Sequence, residues 1–451
     1  MNPSGHYVAI FGGAVSGAEA AHQLSSRGIR TVVFEQNALP YGKIEDGLPK
    51  WHAKLRDKEI GRINEKLSHP LVDFVPNFRL GRDASFEEVV REWGFSAILL
   101  AIGAWRDRPL PVEGIDQYIG KGFYYQNPYI YWFNHYHEPD YQGPQYEVAD
   151  NAIVVGGGLA SIDVAKVLMI ETVQRALRAR GHEVDMFTLE KSIAKTLEKL
   201  GLSLEDLGLK GCTLYYRRRI MDMPLSPMPT DTPEKLKKAQ LVREKVLGNA
   251  MRKFLFKVKP LHVPIGLIEK DGRLNGLVFQ QTEIVDGRAK AIPGTEVAVE
   301  SPLVISSIGS LPEQLEGIPM DGSVYKVRED LCCRVEGFEN VFALGNAVTG
   351  RGNINESLQH GRQVTSAMIE HYLLDEEQQY EEAFRKVENA TSQKLAQIYQ
   401  QIKKIPPLTE TEFNQLREKV ERFQQQLGYD GDYMKWINAH TPPRLEQLLN
   451  S

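Results

Sequence analysis

Apolar runs and helical patterns alternate from the start of the chain. The first apolar run, Tyr7–Phe11, leads into a glycine turn, then into apolar positions at helical spacing through Leu24, and then into a second strand-like run, Thr31–Glu35. A short apolar run bounded by a turn is typical of a buried strand, and apolar residues three or four positions apart indicate a helix. The pattern therefore predicts a complete strand–helix–strand unit.

The same signature begins again near the middle of the chain, at Ala152–Val155. A glycine turn and a helical run, Ile162–Met169, follow, and a polar helical stretch over about 171–207 precedes a strand at Cys212–Tyr216. Residues 105–150 are rich in Pro, Gly, Tyr and His with little periodicity, so we interpret them as a connecting region. Two such units predict an α/β fold with two Rossmann-like, three-layer nucleotide-binding domains.

The composition changes near residue 375 to Gln, Glu and Lys at helical spacing. This change predicts a helical C-terminal extension with amphipathic helices at Gln378–Lys404 and Glu410–Leu427. Thr409 and Glu412 have capping-box spacing at the start of the second helix. We expect the extension to pack on the body, and dimerisation or docking of a partner subunit are the alternatives.

Composition and charge exclude several classes of function. The chain has 451 residues, 42% hydrophobic and 25% charged, which is ordinary for a globular protein of two or three domains. A net charge of −5 does not favour nucleic acid as a partner. No apolar run approaches the roughly 18 residues of a membrane span, and no secretory or transit pattern opens the chain, so we expect a cytoplasmic protein without a membrane anchor. The three cysteines form neither a C-x-x-C pair nor a cluster, so no dithiol relay or metal site is expected.

The first glycine turn reads Gly12-x-Ala14-x-x-Gly17. In a dinucleotide-binding turn the glycines allow the backbone to approach the pyrophosphate, and the helix that follows offers its N-terminal amides to the anion. Glu35 ends the next strand 23 residues after Gly12, near the spacing at which a carboxylate accepts a ribose hydroxyl. The turn thus predicts a first dinucleotide site, with an ordinary strand–helix turn as the alternative.

The second turn, Gly156-x-Gly158-x-x-Ser161, predicts a second dinucleotide site. The strand after it ends at Arg217 and Arg218, followed by a third arginine. A carboxylate at this place selects the free ribose hydroxyl of NAD, whereas guanidinium groups suit the 2′-phosphate of NADP. NADP is therefore the expected ligand, and a solvated basic strand end is the alternative.

Further motifs occur in a recognisable order between residues 6 and 373. They are Pro40-Tyr41-Gly42, Asp46-Gly47, Trp51-His52, Ala101-Ile102-Gly103-Ala104, Trp132-Phe133-Asn134, Gly156–Asp163, Arg217-Arg218, Ser306–Gly309 and Val341–Gly345. With these motifs the chain resembles the adrenodoxin-reductase type of ferredoxin–NADP reductase, and it shares features with the small subunit of glutamate synthase.

The resemblance implies a particular domain arrangement. An NADP-binding domain with its linkers, residues 111–329, is inserted in a split FAD-binding domain, residues 1–110 and 330–374. Residues 375–451 are then the helical extension.

The resemblance also implies roles for individual residues. The FAD pyrophosphate and ribose lie at Gly12, Gly17 and Glu35, with Ala14 in the same turn. The remaining implied FAD contacts are Gly42 and Gly47 in the loop beside the flavin, and Gly345, Asn346, Gly352, Asn353 and Ile354 along the isoalloxazine. His52 falls where the family carries a histidine near the flavin. We therefore expect His52 either to assist proton movement or to have a purely structural role.

Three functions follow from this resemblance. The first is an FAD-dependent oxidoreductase that passes electrons between NADPH and a one-electron carrier. The basic segment 210–262 predicts an acidic carrier, such as ferredoxin or flavodoxin, unless that charge serves only the cofactor phosphate and solvent. The second is a flavin subunit of a larger NADPH-dependent complex. The third is a non-catalytic cofactor-binding relative, which the departures from the family pattern at Ala14 and Asn346 would support.

Overall fold

Two β-sheets built mainly of parallel strands organise the chain in the computed structural model, which describes residues 5–225, 231–328, 333–348 and 376–449. The strands are β1 Tyr7–Phe11, β2 Arg30–Phe34, β3 Val72–Val75, β4 Ala97–Leu100, β5 Arg106–Asp107, β6 Phe123–Tyr125, β7 Ile153–Gly156, β8 Thr213–Tyr216, β9 Lys257–Pro260, β10 His262–Lys270, β11 Arg273–Val285, β12 Arg288–Ala291, β13 Val297–Glu300, β14 Val304–Ser307, β15 Ser310–Leu311, β16 Met320–Asp321, β17 Val324–Tyr325, β18 Val327–Arg328, β19 Arg334–Val335 and β20 Val341–Ala343. The α-helices are α1 Val15–Ser25, α2 Lys43–Asp46, α3 Ala53–Leu67, α4 Phe86–Glu92, α5 Gln126–His135, α6 Leu159–Arg178, α7 Met186–Lys191, α8 Ile193–Leu200, α9 Pro233–Phe254, α10 Glu376–Ile402, α11 Glu410–Gln426, α12 Tyr433–His440 and α13 Leu445–Leu448.

The first sheet has the strand order β18-β19-β20-β4-β1-β2-β3. Its central strand β1 pairs in parallel with β2 on one side and β4 on the other, and all five of its residues are buried. A continuous apolar run is what a parallel strand covered on both faces requires. β20 pairs in parallel with β4, so this sheet combines strands from the beginning of the chain with a strand near residue 340.

The second sheet, β6-β14-β7-β8-β9, is parallel throughout. The parallel strands of the two sheets confirm the predicted α/β class. Helix α6 is longer than the run predicted at 162–169, because Thr172, Val173 and Leu177 continue its buried face. The polar stretch predicted at about 171–207 is therefore divided between the end of α6, α7 and α8.

The segment 105–150 is more ordered than its composition indicates. Strand β6 lies in it and pairs with β14, and α5 follows with Tyr129 and Phe133 fully buried. A three-residue strand becomes recognisable only through its partner some 180 residues away, which explains why periodicity missed it.

The two connections between the sheets run side by side. β5 follows the first sheet and β15 follows the second, and they pair antiparallel with Ser310 opposite Asp107. Strands β10 to β13 form a separate antiparallel sheet within the inserted segment.

The C-terminal extension packs on the first sheet, as expected. Its helices α10 and α11 occupy nearly the ranges predicted, and Thr409 and Glu412 form the predicted capping box. Helix α10 lies along α1, and α11 adds Leu416 and Val420 to the core formed by the first sheet. Within the described ranges, no helix combines the length and the apolar character that a membrane span needs.

Ion pairs fasten the end of the extension to the body. The Arg444 guanidinium binds both carboxylate oxygens of Glu45, and the two side chains are only 10% and 7% exposed. Arg56 of α3 pairs with one carboxylate oxygen of Glu446 in α13. Because removal of one partner leaves a buried charge without compensation, the pair between Arg444 and Glu45 should matter for stability.

We therefore expect Arg444→Ala to lower the free energy of unfolding by about 3 kcal/mol in urea titrations. Arg417→Ala is the matched control, because Arg417 pairs with Glu421 on the exposed face of α11, where a pair contributes at most about 1 kcal/mol. Equal losses in the two variants would contradict this account of the extension.

Candidate functional site

The first glycine turn lies at the carboxyl end of β1, with strands on both sides of it. Gly12 has a φ of +98°, and a Cβ at this position would lie 2.6 Å from the Ala101 carbonyl oxygen. A Cβ at Gly17 would collide with the Gly12 carbonyl, so both positions need glycine. This close packing starts α1 immediately beside the end of β1, at the crevice where open α/β sheets bind ligands.

Ala14 is the residue that precedes α1, and no side chain caps the helix there. The amides of its first turn are therefore available to an anion. Across the turn, a Cβ at Gly42 would lie 2.9 Å from the Ala14 methyl group. The glycine at position 42 thus accommodates the methyl group at which the turn departs from G-x-G-x-x-G.

Glu35 joins the turn to the end of β2. One carboxylate oxygen accepts the Gly13 amide at 2.8 Å, and the other accepts the Asn37 amide at 3.0 Å. Burial raises the pKa of this carboxyl to about 7, although the amide hydrogen bonds act in the opposite direction. Each oxygen keeps a second lone pair, so Glu35 can still accept a ligand hydroxyl.

These elements surround a cavity of about 160 Å³. The predicted residues that line it are Gly12, Ala14, Glu35, Gly42 and Asn346. Gly17 lies beneath the turn, and Gly345 approaches Ser16 so closely that a Cβ there would clash with the serine hydroxyl. Gly47 ends α2 against Lys43 and is not part of the lining. The structure thus gathers at one place most of the predicted first site that it describes.

One of the remaining predicted positions, His52, lies outside this cavity. Gly352, Asn353 and Ile354 lie outside the described residues. His52 is buried at the start of α3, where its ring contacts Tyr380 edge-on at a centroid distance of 5.5 Å. His52 does not line the cavity. Its predicted role in proton movement is not tested by this contact.

The cavity also includes residues that sequence reasoning missed. Lys43 of α2 and Trp105, which follows β4, line it, and Phe384 and Val387 line it from α10. Lys43 directly follows the motif Pro40-Tyr41-Gly42, so its position next to Gly42 was a usable signal. Nothing in the sequence related Phe384 and Val387 to a turn some 370 residues earlier.

The second glycine turn repeats the architecture at the carboxyl end of β7. The Tyr216 ring fills the space that a side chain at Gly157 would need. Gly158 precedes the 20-residue helix α6 without a side-chain cap, and Ser161 Oγ donates to the Gly158 carbonyl at 2.6 Å. The N-terminus of α6 is thus a second position suited to an anion.

The predicted arginines follow β8 at the neighbouring strand end. Arg219 forms a bidentate pair with Asp222 at 2.9 and 3.0 Å, and Arg218 Nε lies 3.8 Å from the same carboxylate. Arg217 is exposed, and no carboxylate of the described chain forms a salt bridge with it. The arginines thus follow the strand end that the sequence indicated, and Asp222 compensates part of their charge.

The chain is similar to known proteins both in sequence and in fold. No protein-family model matches the chain. It is 22% identical to the NADPH:adrenodoxin oxidoreductase of Arabidopsis thaliana over 346 residues, 70% of either chain. It is 22% identical to the glutamate synthase [NADPH] small chain of Mycobacterium tuberculosis, over 82% of this chain and 67% of that one. It matches only 37% of the NADPH-Fe(3+) oxidoreductase subunit beta of Geobacter sulfurreducens, at 26% identity.

The fold is similar to that of FprA from Mycobacterium tuberculosis, whose structure was solved in complex with NADPH. The TM-score is 0.67 at 18% identity, and the match covers 93% of this chain and 91% of FprA. The relatives confirm the predicted resemblance, and the structural match confirms the predicted fold class. The names of the relatives agree with the predicted class of NADPH-dependent oxidoreductase.

The burial of Glu35 predicts a pH-dependent stability for the ligand-free protein. Its folded pKa of about 7 lies above the ordinary 4.5, so stability is complete below about pH 4.5 and is lost as the pH rises through 7. Between about pH 5 and pH 8, the free energy of unfolding should fall in the wild type by about 1–3 kcal/mol relative to Glu35→Gln. Urea titrations at both pH values check this, with Glu87→Gln on the exposed side of α4 as the control. A parallel pH profile for wild type and Glu35→Gln would contradict it.

Proposed function

We propose that this relative of NADPH:adrenodoxin oxidoreductase and of the glutamate synthase small chain is an FAD-dependent oxidoreductase that passes electrons between NADPH and a one-electron carrier such as ferredoxin. The observation that carries the proposal is the pair of glycine turns at the carboxyl ends of β1 and β7. Each turn opens a helix without a side-chain cap, and each follows a parallel strand of its own sheet. Two such sites in one chain fit two dinucleotides.

The first site fits FAD. Gly12 and Gly17 let the backbone approach the pyrophosphate, the amides of α1 face it, and Glu35 accepts a ribose hydroxyl. When bound, FAD supplies a ring that accepts a hydride and can release the electrons singly. Ala14 does not oppose this assignment, because its methyl group is accommodated by Gly42. The assigned contacts of Gly345 and Asn346 belong to the same proposal, with Asn346 in the cavity wall.

The second site fits NADP(H). The N-terminus of α6 at Gly158 receives the pyrophosphate, and Arg217 and Arg218 receive the 2′-phosphate. Asp222 holds Arg219 in a bidentate pair, so the proposal assigns the phosphate to the two preceding arginines.

His52 belongs to the proposal with two alternative roles. A histidine beside the flavin assists proton movement, whereas its burial against Tyr380 supports a structural role beneath the loop. The domain division into 1–110 with 330–374, 111–329 and 375–451 is part of the same proposal. The first sheet draws strands from both halves of the split domain, and β18 joins it just before residue 330.

An acidic one-electron carrier is the proposed partner. Exposed lysines of α9, Lys237, Lys238 and Lys245, flank the exposed Leu241 on the outer face of that helix. Such a basic face with an apolar centre attracts an acidic protein and gives it a contact surface. We place the enzyme in the cytoplasm.

The second candidate function is a flavin subunit of a larger NADPH-dependent complex. The names of two relatives favour it, since one is a small chain and the other is a subunit beta. Docking through the extension loses its support, because α10 and α11 pack on this chain's own core. A non-catalytic relative is the third candidate, and its main support is weakened by the fit of Ala14 to Gly42.

The proposal is tested by the visible spectrum of the purified protein. We expect a flavin band that NADPH bleaches under anaerobic conditions and NADH bleaches much less. A colourless protein that does not bind added FAD, or a flavin that neither nucleotide reduces, would overturn the reductase assignment. Copurification of a second chain would favour the subunit candidate.

The phosphate assignment gives a separate prediction. Arg217→Ala combined with Arg218→Ala should weaken NADPH binding about tenfold or more, because charge-assisted hydrogen bonds contribute about 1.5–3 kcal/mol each, and NADH binding should change little. Dissociation constants for both nucleotides from fluorescence titration check this. The matched control is Arg288→Ala with Lys290→Ala, two exposed cations on β12. Equal losses of affinity for NADPH and NADH would contradict the assignment of the 2′-phosphate to these arginines.

A further inference from the structure

Lys43 is a cation in the wall of the first cavity, and no carboxylate of the described residues forms an ion pair with it. It begins α2 directly after Gly42 and lines the cavity together with Trp105. Its Nζ donates to Ser310 Oγ at 3.0 Å and to Asn127 Oδ1 at 3.3 Å, and it lies 5.6 Å from the centroid of the Trp105 ring. Among the residues that the structure describes, none forms a salt bridge with Nζ. The ammonium is therefore held by neutral acceptors and an aromatic face.

An ammonium whose charge is only partly compensated favours an anion in the adjacent cavity. Burial lowers the pKa of Lys43 to about 8, and the nearby Asp107 raises it only in part. Removing an ammonium from water is costly unless an opposite charge compensates. Since Asp107 lies beyond salt-bridge distance and itself has a pKa raised to about 6 by burial, compensation inside the protein is incomplete.

The strand ends around the cavity indicate which part of a dinucleotide Lys43 faces. Glu35 follows β2 on one side of β1, whereas Trp105 and Asp107 follow β4 on the other side. A dinucleotide lies across β1, with the adenosine ribose on the carboxylate at the β2 side and the pyrophosphate at the start of α1. Its second half then extends over β4, toward Trp105 and Lys43.

We propose that Lys43 faces the flavin ring of bound FAD and stabilises the negative charge that the ring acquires on reduction. This inference rests on the proposed function. Hydride transfer from NADPH leaves NADP⁺ and adds two electrons and one proton to the flavin, so the reduced ring gains one negative charge. An ammonium that favours the reduced form over the oxidised form raises the reduction potential of the flavin.

The network around Lys43 also fixes its position. Asn127 Nδ2 donates to the Trp105 carbonyl and to Ser310 Oγ, both at 2.9 Å, and the Asn127 amide donates to Asp107 at 3.2 Å. Ser310 and Asp107 are opposite each other in the paired connections β5 and β15. The lysine is thus a positioned charge, held where the two connections between the sheets meet.

The test measures the two-electron reduction potential of FAD in the purified full-length protein at pH 7 by equilibration with a reference dye. Lys43→Met should lower the equilibrium constant for reduction about tenfold, which is about 30 mV for a two-electron couple. Lys43→Arg keeps the charge and should retain most of the wild-type potential. If Lys43→Met does not fold, Lys43→Gln removes the charge while keeping a polar group for Ser310 and Asn127.

Two controls separate charge from structure. Ser310→Ala removes one hydrogen bond to Lys43 and leaves its charge, and Lys54→Met removes an exposed charge from α3. Lys54→Met should keep the wild-type potential to within about twofold in the equilibrium constant, and Ser310→Ala should lose less than Lys43→Met, because Asn127 still holds the ammonium. A loss in Ser310→Ala equal to that in Lys43→Met would overturn the electrostatic role.

Three further results would overturn the role of Lys43. An unchanged potential in Lys43→Met and Lys43→Gln would overturn the inference while leaving the reductase proposal intact. Weaker FAD binding with an unchanged potential would assign Lys43 to the pyrophosphate instead, and would also overturn it. A wild-type protein that binds no FAD would overturn both the inference and the proposed function.

Discussion

The close approach of strand and helix at the two glycine turns is the constraint on which the molecule depends. At the first turn, the Gly12 and Gly17 positions have no room for a Cβ, so β1 passes into α1 with little intervening chain. At the second turn, the Tyr216 ring occupies the place of a side chain at Gly157. Each turn places helix amides at the carboxyl edge of a parallel sheet, which is where a phosphate can be bound without a lysine or arginine.

The C-terminal extension packs into the same core as the first sheet and its helices. Helix α10 covers α1 through buried polar contacts, including Lys66 of α3 bound to Glu19 at 2.8 Å and paired with Glu388. Charged groups at such an interface favour one arrangement of the helices, because any other would leave a buried charge unpaired. The extension also supplies cavity wall and the ring that contacts His52, so its packing and the proposed cofactor site are coupled.

Local sequence patterns were sufficient to predict some of the elements. Strand β1, the turn after it and the capping box of α11 were all predictable, because short-range spacing and composition determine them. The short strand β6 and the full length of α6 were not, since one depends on pairing with β14 and the other on burial of its later turns. Similarly, Asp222 lies only three residues beyond Arg219, but its pairing depends on the 3₁₀ turn between them.

By itself, the sequence determined the class of fold, the two turns and some of the residues around them, such as Glu35 and Gly42. It determined these because backbone conformation, helix initiation and strand burial act over a few residues. Only the tertiary structure decided which distant groups share the cavity: Lys43, Trp105 and Phe384 come together from α2, the interdomain connection and the extension. Their proximity results from packing the whole chain, and no local pattern of residues contains it.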